Sequence, residues 1–202
     1  MEDSERLAQA PTAALVSALL VDRGALLVGH FRLSSGRHSN RFVQKFRILE
    51  DPAALESIVR HFVEPARALA PTVVVSAAVG GIVIGYETAR QLGGGLKAIF
   101  VEKENGVPAL RRGFALGPGD RAFIVEDVVT TGGSVREVLD VVRAHGAEPA
   151  GVGIIVRREP ADFGVPTIAL LDLRIESYDP AECPQCANGE PITAPGSRFL
   201  AK

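Results

Sequence analysis

Apolar and polar positions fall into blocks along this chain, and the blocks read as elements. Residues from about Ser4 to Asp22 read as a helix that stops at Gly24. ALLVG (25–29) and RFVQKF (41–46) read as short strands on either side of a polar loop, HFRLSSGRHSN. Asp51 followed by Pro52 is an N-cap with proline at the first helical position, opening a helix to about Leu69. The β-branched run TVVVSAA (72–78) suits a strand buried on both faces. VGG turns it into the helix IVIGYETARQL, which ends at Gly93, Gly94 and Gly95. LKAIFVEK (96–103) and RAFIVED (121–127) are the next strands. The helix SVREVLDVVRAHG and the strands PAGVGIIVRR (149–158) and TIALLDL (167–173) follow.

Strands alternating with helices imply right-handed β-α-β units, and so an α/β fold with a mostly parallel central sheet flanked by helices. The stretch from Glu104 to Asp120 interrupts the alternation. It is polar, bears glycine and is too long for a tight connection, and such loops in compact domains are lids or binding loops.

At 202 residues, with 47% apolar and 23% charged residues, the chain fits one globular domain with a full core. A net charge of −2 leaves no electrostatic footprint for nucleic acid. No apolar run approaches the roughly 18 residues of a membrane span. The start, MEDSERLAQAP, lacks the basic-then-apolar layout of a secretory signal, so the cytoplasm is the expected location. The two cysteines, Cys183 and Cys186, stand in CPQC, half of a zinc-knuckle spacing with no second pair beside it. They read as reduced cysteines in a tail turn, with a zinc site shared across a dimer or a redox pair as alternatives. His30, His38, His61 and His145 show no ligand spacing and read as surface or structural residues.

The chemistry concentrates in FIVEDVVTTGGS (123–134). Ligands of a parallel α/β sheet bind beyond the carboxyl ends of its strands, which is where Glu126 and Asp127 fall. The glycines of TTGGS let backbone amides converge at a helix N-terminus, and Thr130, Thr131 and Ser134 add hydroxyl donors. Such a cradle suits a phosphate monoester. Carboxylates touching that phosphate would repel it, whereas one step away they can accept hydrogen bonds from sugar hydroxyls. Phosphate on the loop and diol on the acids describe a ribose 5-phosphate. The bland reading is a glycine-rich turn beside two solvated acids.

This segment resembles the phosphoribosyl-pyrophosphate motif of type I phosphoribosyltransferases: an apolar strand, two acids, two apolar residues, then a threonine- and glycine-rich loop. GALLVGHFRLSSGRHSNRF (24–42) resembles the opening of orotate phosphoribosyltransferases, which forms a hood over the base. AAVGGIVIG, VEKENG and VRRE extend the resemblance over roughly residues 24 to 175. It implies a single phosphoribosyltransferase domain, with residues 1–45 forming the hood, a mobile loop, and a tail from about 176 to 202 of unassigned role.

The resemblance further implies transfer of ribose 5-phosphate from phosphoribosyl pyrophosphate to orotate in pyrimidine synthesis, with Mg2+ held mainly through the substrate. By the same resemblance Glu126, Asp127, Val128, Val129, Thr130, Thr131, Gly132, Gly133 and Ser134 hold the ribose diol and 5-phosphate. Thr130 also reaches orotate, Val79 and Gly80 offer pyrophosphate-loop amides, and Lys103 is the loop lysine. Arg158 contacts orotate, Phe42 packs on its side, and Ser34 stands in the hood. A homodimer with loop residues reaching the neighbouring site is implied as well.

The chain departs from the family pattern in places. Ser34 stands where many members have lysine, and Glu102-Lys103 where many have Arg-Lys. A second loop lysine and a histidine are missing, leaving Arg111 and Arg112 either as their replacements or as solvated charges. Two rival readings are a purine-base phosphoribosyltransferase and a non-catalytic regulator that senses phosphoribosyl pyrophosphate. The LSSGRHS hood and Arg158 oppose the first, and the acidic balance opposes the second.

Overall fold

The structure is a computed structural model that describes residues 2–33 and 35–195, with side chains of the first helix described from Pro11 onward. Helix α1 (Glu2–Asp22) ends at Gly24, whose φ of +61° suits a residue without Cβ. Strands β1 (Leu26–Arg32) and β2 (His38–Val43) form an antiparallel hairpin separate from the main sheet. One turn of helix, α2 (Phe46–Leu49), leads into α3 (Pro52–Ala68), where the Asp51 carboxylate accepts from the Ala53 and Ala54 amides at 3.0 and 3.1 Å. The expected N-cap is therefore present.

The main sheet has six strands in the order β5-β4-β3-β6-β7-β8. These are β3 (Val73–Ala77), β4 (Lys97–Glu104), β5 (Val107–Leu110), β6 (Arg121–Val129), β7 (Glu148–Arg157) and β8 (Thr167–Asp172). All neighbouring pairs run parallel except β4 and β5, so the expected mostly parallel α/β sheet is found. Helices α4 (Gly80–Leu92) and α5 (Gly133–Ala144) make the crossovers β3-α4-β4 and β6-α5-β7. Because β3 and β6 are adjacent while their crossovers leave in opposite directions, a crevice opens beyond their carboxyl ends.

The central strands have two buried faces. Val74, Phe123 and Val125 pack with Phe62 and Ile84 beneath α3 and α4. Val73, Val75, Ala122 and Ile124 pack with Val138, Leu139 and Val142 of α5. Alternate residues of one strand go to opposite faces, so this parity also decides where Glu126 and Asp127 point.

Two expectations need correction. The stretch from Glu104 to Asp120 is not one polar loop: residues 107–110 pair with β4 around the Asn105-Gly106 turn, in which both residues have positive φ. This is the favoured two-residue hairpin turn, and its Asn-Gly signal lies in the sequence. Farther on, the Phe114 ring meets Phe100 edge-on at 5.0 Å. The hood hairpin is also longer than the sequence implies. His30 to Arg32 and His38 to Asn40 are strand, while Lys45 and Phe46 are not. The Arg32 amide donates to the Thr193 carbonyl and the His38 amide to the Tyr178 carbonyl, partners more than a hundred residues away that no local pattern reveals.

A final short segment, a 3-10 turn (Pro180–Glu182) and helix α6 (Pro184–Ala187), lies in the tail that covers the hairpin. None of the described helices is long and apolar enough to cross a membrane.

Candidate active site

The β6 strand delivers two acids to the crevice, one to each face. Glu126 shares the parity of Ala122 and Ile124 and so faces the α5 side, where it lines a depression with Val128, Thr130, Gly132, Gly133 and Ser134. Asp127 shares the parity of Phe123 and Val125 and faces the α4 side. There it meets Lys45, the residue after the hood hairpin that the sequence reading left without a role.

Lys45 Nζ stands 2.8 Å from Asp127 Oδ2 and donates to Oδ1 at 3.1 Å. The closer contact is an ion pair without hydrogen-bond geometry, so Oδ2 accepts no hydrogen bond among the described residues. Oδ1 also accepts from the Val128 amide at 2.6 Å. Both carboxyl groups are buried, Glu126 at 7% and Asp127 at 3% exposure. Burial, and then the neighbouring Asp127 charge, push the Glu126 carboxyl up to about 8.

The turn after β6 opens α5 on glycines. Gly132 is the N-cap of α5, with φ +81° and no side-chain cap, so no side chain of its own satisfies the first amides of the helix. A Cβ on Gly132 would meet the Phe163 ring at 2.8 Å and Arg136 Nη1 at 2.9 Å. Position 132 therefore tolerates only glycine on two counts, backbone conformation and space. Arg136 holds the turn by donating to the Thr131 carbonyl at 2.6 Å, its guanidinium 5.3 Å from the Phe163 ring centroid. Sequence reasoning missed this Arg136–Phe163 support, since 27 residues separate the partners.

The β3-α4 turn approaches from the other side. The Ala78–Val79 peptide bond is cis. Gly80 lies against the acid pair: a Cβ there would stand 2.2 Å from Asp127 Oδ2 and 3.1 Å from Lys45 Nζ. Gly80 thus adjoins Asp127, and Val79 precedes it as the N-cap of α4.

The loop cations are all occupied by carboxylates. Lys103 Nζ is 2.7 Å from Glu137, and Lys103 shares a cleft with Ala77, Ala78 and Ser134. Arg112 grips Glu102 through both oxygens, at 2.8 and 3.1 Å, while Arg111 reaches Glu104 at 3.3 Å. Arg158, just past β7, donates its amide to the Val129 carbonyl at 2.8 Å, which sets it beside Thr130. Its Nε is buried with no hydrogen-bond partner among the described residues, and burial pushes its guanidinium below the ordinary range. Phe42 stands on β2 with its ring 5.9 Å from Phe31. Ser34 lies outside the described residues.

Residues 47–162 match the family model of the phosphoribosyl transferase domain. The chain is 47% identical over 187 residues to the orotate phosphoribosyltransferase of Pelotomaculum thermopropionicum, covering 92% of this chain and 97% of that one. It is 49% identical over 178 residues to that of Heliobacterium modesticaldum, covering 86% and 92%. Among solved structures, Mycobacterium tuberculosis orotate phosphoribosyltransferase superposes with a TM-score of 0.65 at 23% identity, over 79% of this chain and 95% of that one. Adenine phosphoribosyltransferase from Rhodothermus marinus superposes with a TM-score of 0.62 at 22% identity, over 80% and 99%, so the shared fold by itself does not select the base. The identity along nearly the whole chain does: this chain belongs to the orotate phosphoribosyltransferase family.

Proposed function

We propose that the protein transfers ribose 5-phosphate from phosphoribosyl pyrophosphate to orotate, giving orotidine 5′-monophosphate and pyrophosphate. The choice of base rests on the identity to orotate phosphoribosyltransferases, and the feature of the site that supports it is Arg158. It is a half-buried guanidinium at the sheet's carboxyl edge, and its Nε has no hydrogen-bond partner among the described residues. A buried donor left without a partner is costly, and a carboxylate-bearing base supplies a charge-assisted one.

In this reading the amides and hydroxyls of Thr130 to Ser134 receive the 5-phosphate at the α5 N-terminus. Glu126 and Asp127 accept from the ribose hydroxyls, one from each side of the β6 end. The amides of Val79 and Gly80 adjoin the departing pyrophosphate. Lys103 leaves Glu137 to meet charge that develops there, and the β4–β5 hairpin excludes water from the activated sugar. Orotate is already an anion, so positioning and charge stabilisation replace a strong general base.

The donors at the crevice are hard oxygens, and Asp127 Oδ2 has acceptor capacity left, which fits Mg2+ approached through substrate hydroxyls. When bound, the ion neutralises part of the pyrophosphate charge. Val79 at the N-cap of α4, with Val83 and Tyr86 along the helix, are 71, 43 and 67% exposed, an apolar stripe that supports a homodimer. Initial rates with orotate, uracil and adenine, each with phosphoribosyl pyrophosphate and Mg2+, test the reading. Turnover with orotate alone is expected, and turnover with adenine instead would sink it.

A further inference from the structure

The tail cysteines, which the sequence leaves without partners, meet the two hood histidines. His30, His38, Cys183 and Cys186 each offer one ligand atom, and these four atoms lie within 4.8 Å of one another. His30 Nε2 is 3.2 Å from His38 Nδ1, 3.5 Å from Cys183 Sγ and 3.6 Å from Cys186 Sγ. Cys186 Sγ is 3.2 Å from His38 Nδ1. In a tetrahedral zinc site, bonds of about 2.3 Å to sulfur and 2.0–2.1 Å to nitrogen put the ligand atoms roughly 3.3–3.8 Å apart. The three separations from His30 Nε2 match those edges to within about two tenths of an ångström, the Cys186–His38 edge is about 0.3–0.4 Å short, and the two edges from Cys183 to Cys186 and to His38 lie within 4.8 Å.

Three further features point the same way. His30 Nδ1 lies 2.9 Å from the Glu190 carbonyl, which can only accept, so Nδ1 carries the proton and Nε2 turns its lone pair to the cluster. A backbone carbonyl on the far ring nitrogen is the usual support of a metal-binding imidazole. His30, His38 and Cys183 are buried at 5, 8 and 2% exposure, so three of the four ligands are shielded from water, while Cys186 lies at the surface. The backbone is shaped to bring the four together: the β1–β2 register shifts between Val28 and Phe31, at His30, and Pro184 opens the short α6 that joins Cys183 to Cys186.

We infer that His30, His38, Cys183 and Cys186 form a closed tetrahedral zinc site that fastens the C-terminal tail to the hood hairpin. Two thiolates and two neutral imidazoles suit zinc by softness and geometry, and neutralise its charge. With all four positions taken by protein, the ion has no place for substrate and its role is structural. It spans up to 156 residues of chain, from His30 to Cys186. It also lies next to the tail's backbone pairings, Thr193 to His30 and Tyr178 to His38. This corrects the sequence reading on two points: the tail cysteines are not isolated, and the histidines that complete the set come from the same chain. His61 and His145 do have the structural roles expected, against Thr12 and the Val141 carbonyl.

The test is the metal content of the full chain, purified without chelator under reducing conditions and measured by elemental analysis. About one zinc per chain is expected, and close to none in the Cys183→Ser/Cys186→Ser protein. Since that variant could fail to fold, the wild type is also stripped and reloaded with cobalt(II). Intense visible bands of a tetrahedral cobalt–thiolate centre are then expected. Stripping should lower Tm by on the order of 5 °C or more, and speed hydrogen exchange at the Arg32 and His38 amides. Failure of the wild type to take up zinc in stoichiometric amount, an octahedral cobalt spectrum, or a Cys183–Cys186 disulfide in the reduced preparation would each overturn the site.

Discussion

Lys45 Nζ lies 2.8 Å from Asp127 Oδ2, joining the end of the hood hairpin to the acid pair at the tip of the central strand. The Asp127 side chain is 4% exposed and that of Lys45 37%, so the carboxylate depends on this cation for compensation while the cation remains partly solvated. Replacing Lys45 with Met should destabilise the protein by about 1–2 kcal/mol, below the range for a fully buried pair because solvent screens the lysine. Chemical denaturation would show it. Asp127→Asn in the same background should recover most of the loss, and a Lys45→Met protein as stable as wild type would rule the dependence out.

Gly80 faces the same pair. A methyl group there would stand 2.2 Å from Asp127 Oδ2, closer than any contact can be, so the β3-α4 turn or the carboxylate must move. A shift of an ångström at a reacting centre can cost about 10²-fold in rate. Gly80→Ala should therefore fold, with a Tm within a few degrees of wild type, and lose at least tenfold in kcat/KM for phosphoribosyl pyrophosphate. Unimpaired kinetics would mean that the turn does not adjoin the pyrophosphate.

Glu126 makes stability depend on pH. Its carboxyl is pushed up to about 8 by burial and by Asp127, above the ordinary 4.5 it regains on unfolding. Between those values the folded chain binds the proton more tightly than the unfolded chain, so its contribution is present at low pH and is lost as pH rises through about 8. The ligand-free protein should lose Tm from about pH 5 to about pH 8.5, and Glu126→Gln, which cannot ionise, should show a flatter profile. Parallel profiles for the two proteins would place the titration elsewhere.

Among the described residues Arg158 forms no ion pair with a carboxylate, and only the charge of neighbouring Glu159 acts on it. Arg158→Ala should leave Tm nearly unchanged and raise the orotate KM by about 10- to 100-fold, as for one charge-assisted contact of about 1.5–3 kcal/mol. Steady-state kinetics with orotate varied at saturating phosphoribosyl pyrophosphate measures this. An unaltered KM would remove Arg158 from the base site.

The loop cations can be separated by what holds them. Lys103 meets one oxygen of the half-buried Glu137, a partner held by a single contact, whereas Arg112 is gripped by both oxygens of Glu102. Lys103→Ala should lower kcat by roughly 10²-fold with little change in KM, since its contact forms where charge develops. Arg112→Ala should change kcat by no more than about threefold, in line with an exposed pair. If the two results were exchanged, the pyrophosphate contact would belong to Arg112.

The sequence by itself determined the features whose causes are local. The β-branched run of 72–78 and the apolar run of 122–125 specify buried parallel strands because both of their faces need apolar cover. Asp51-Pro52 specifies a helix start within three residues, and TTGGS specifies a glycine turn that opens a helix without a side-chain cap. The Asn105-Gly106 turn carries a hairpin signal as well, although the length and polarity of 104–120 hid it behind the reading of one long loop. Tertiary structure decided what depends on parity and on distant partners. Strand parity at β6 sends Glu126 and Asp127 to opposite faces, which their adjacency in sequence conceals. The 82 residues between Lys45 and Asp127 hide an ion pair that only the seating of the hood creates. Half of a metal-ligand pattern stands in CPQC and the other half in two histidines about 150 residues earlier. Ligand spacing is a property of space, and only the fold that lays the tail across the hood hairpin brings the four side chains within bonding distance of one ion.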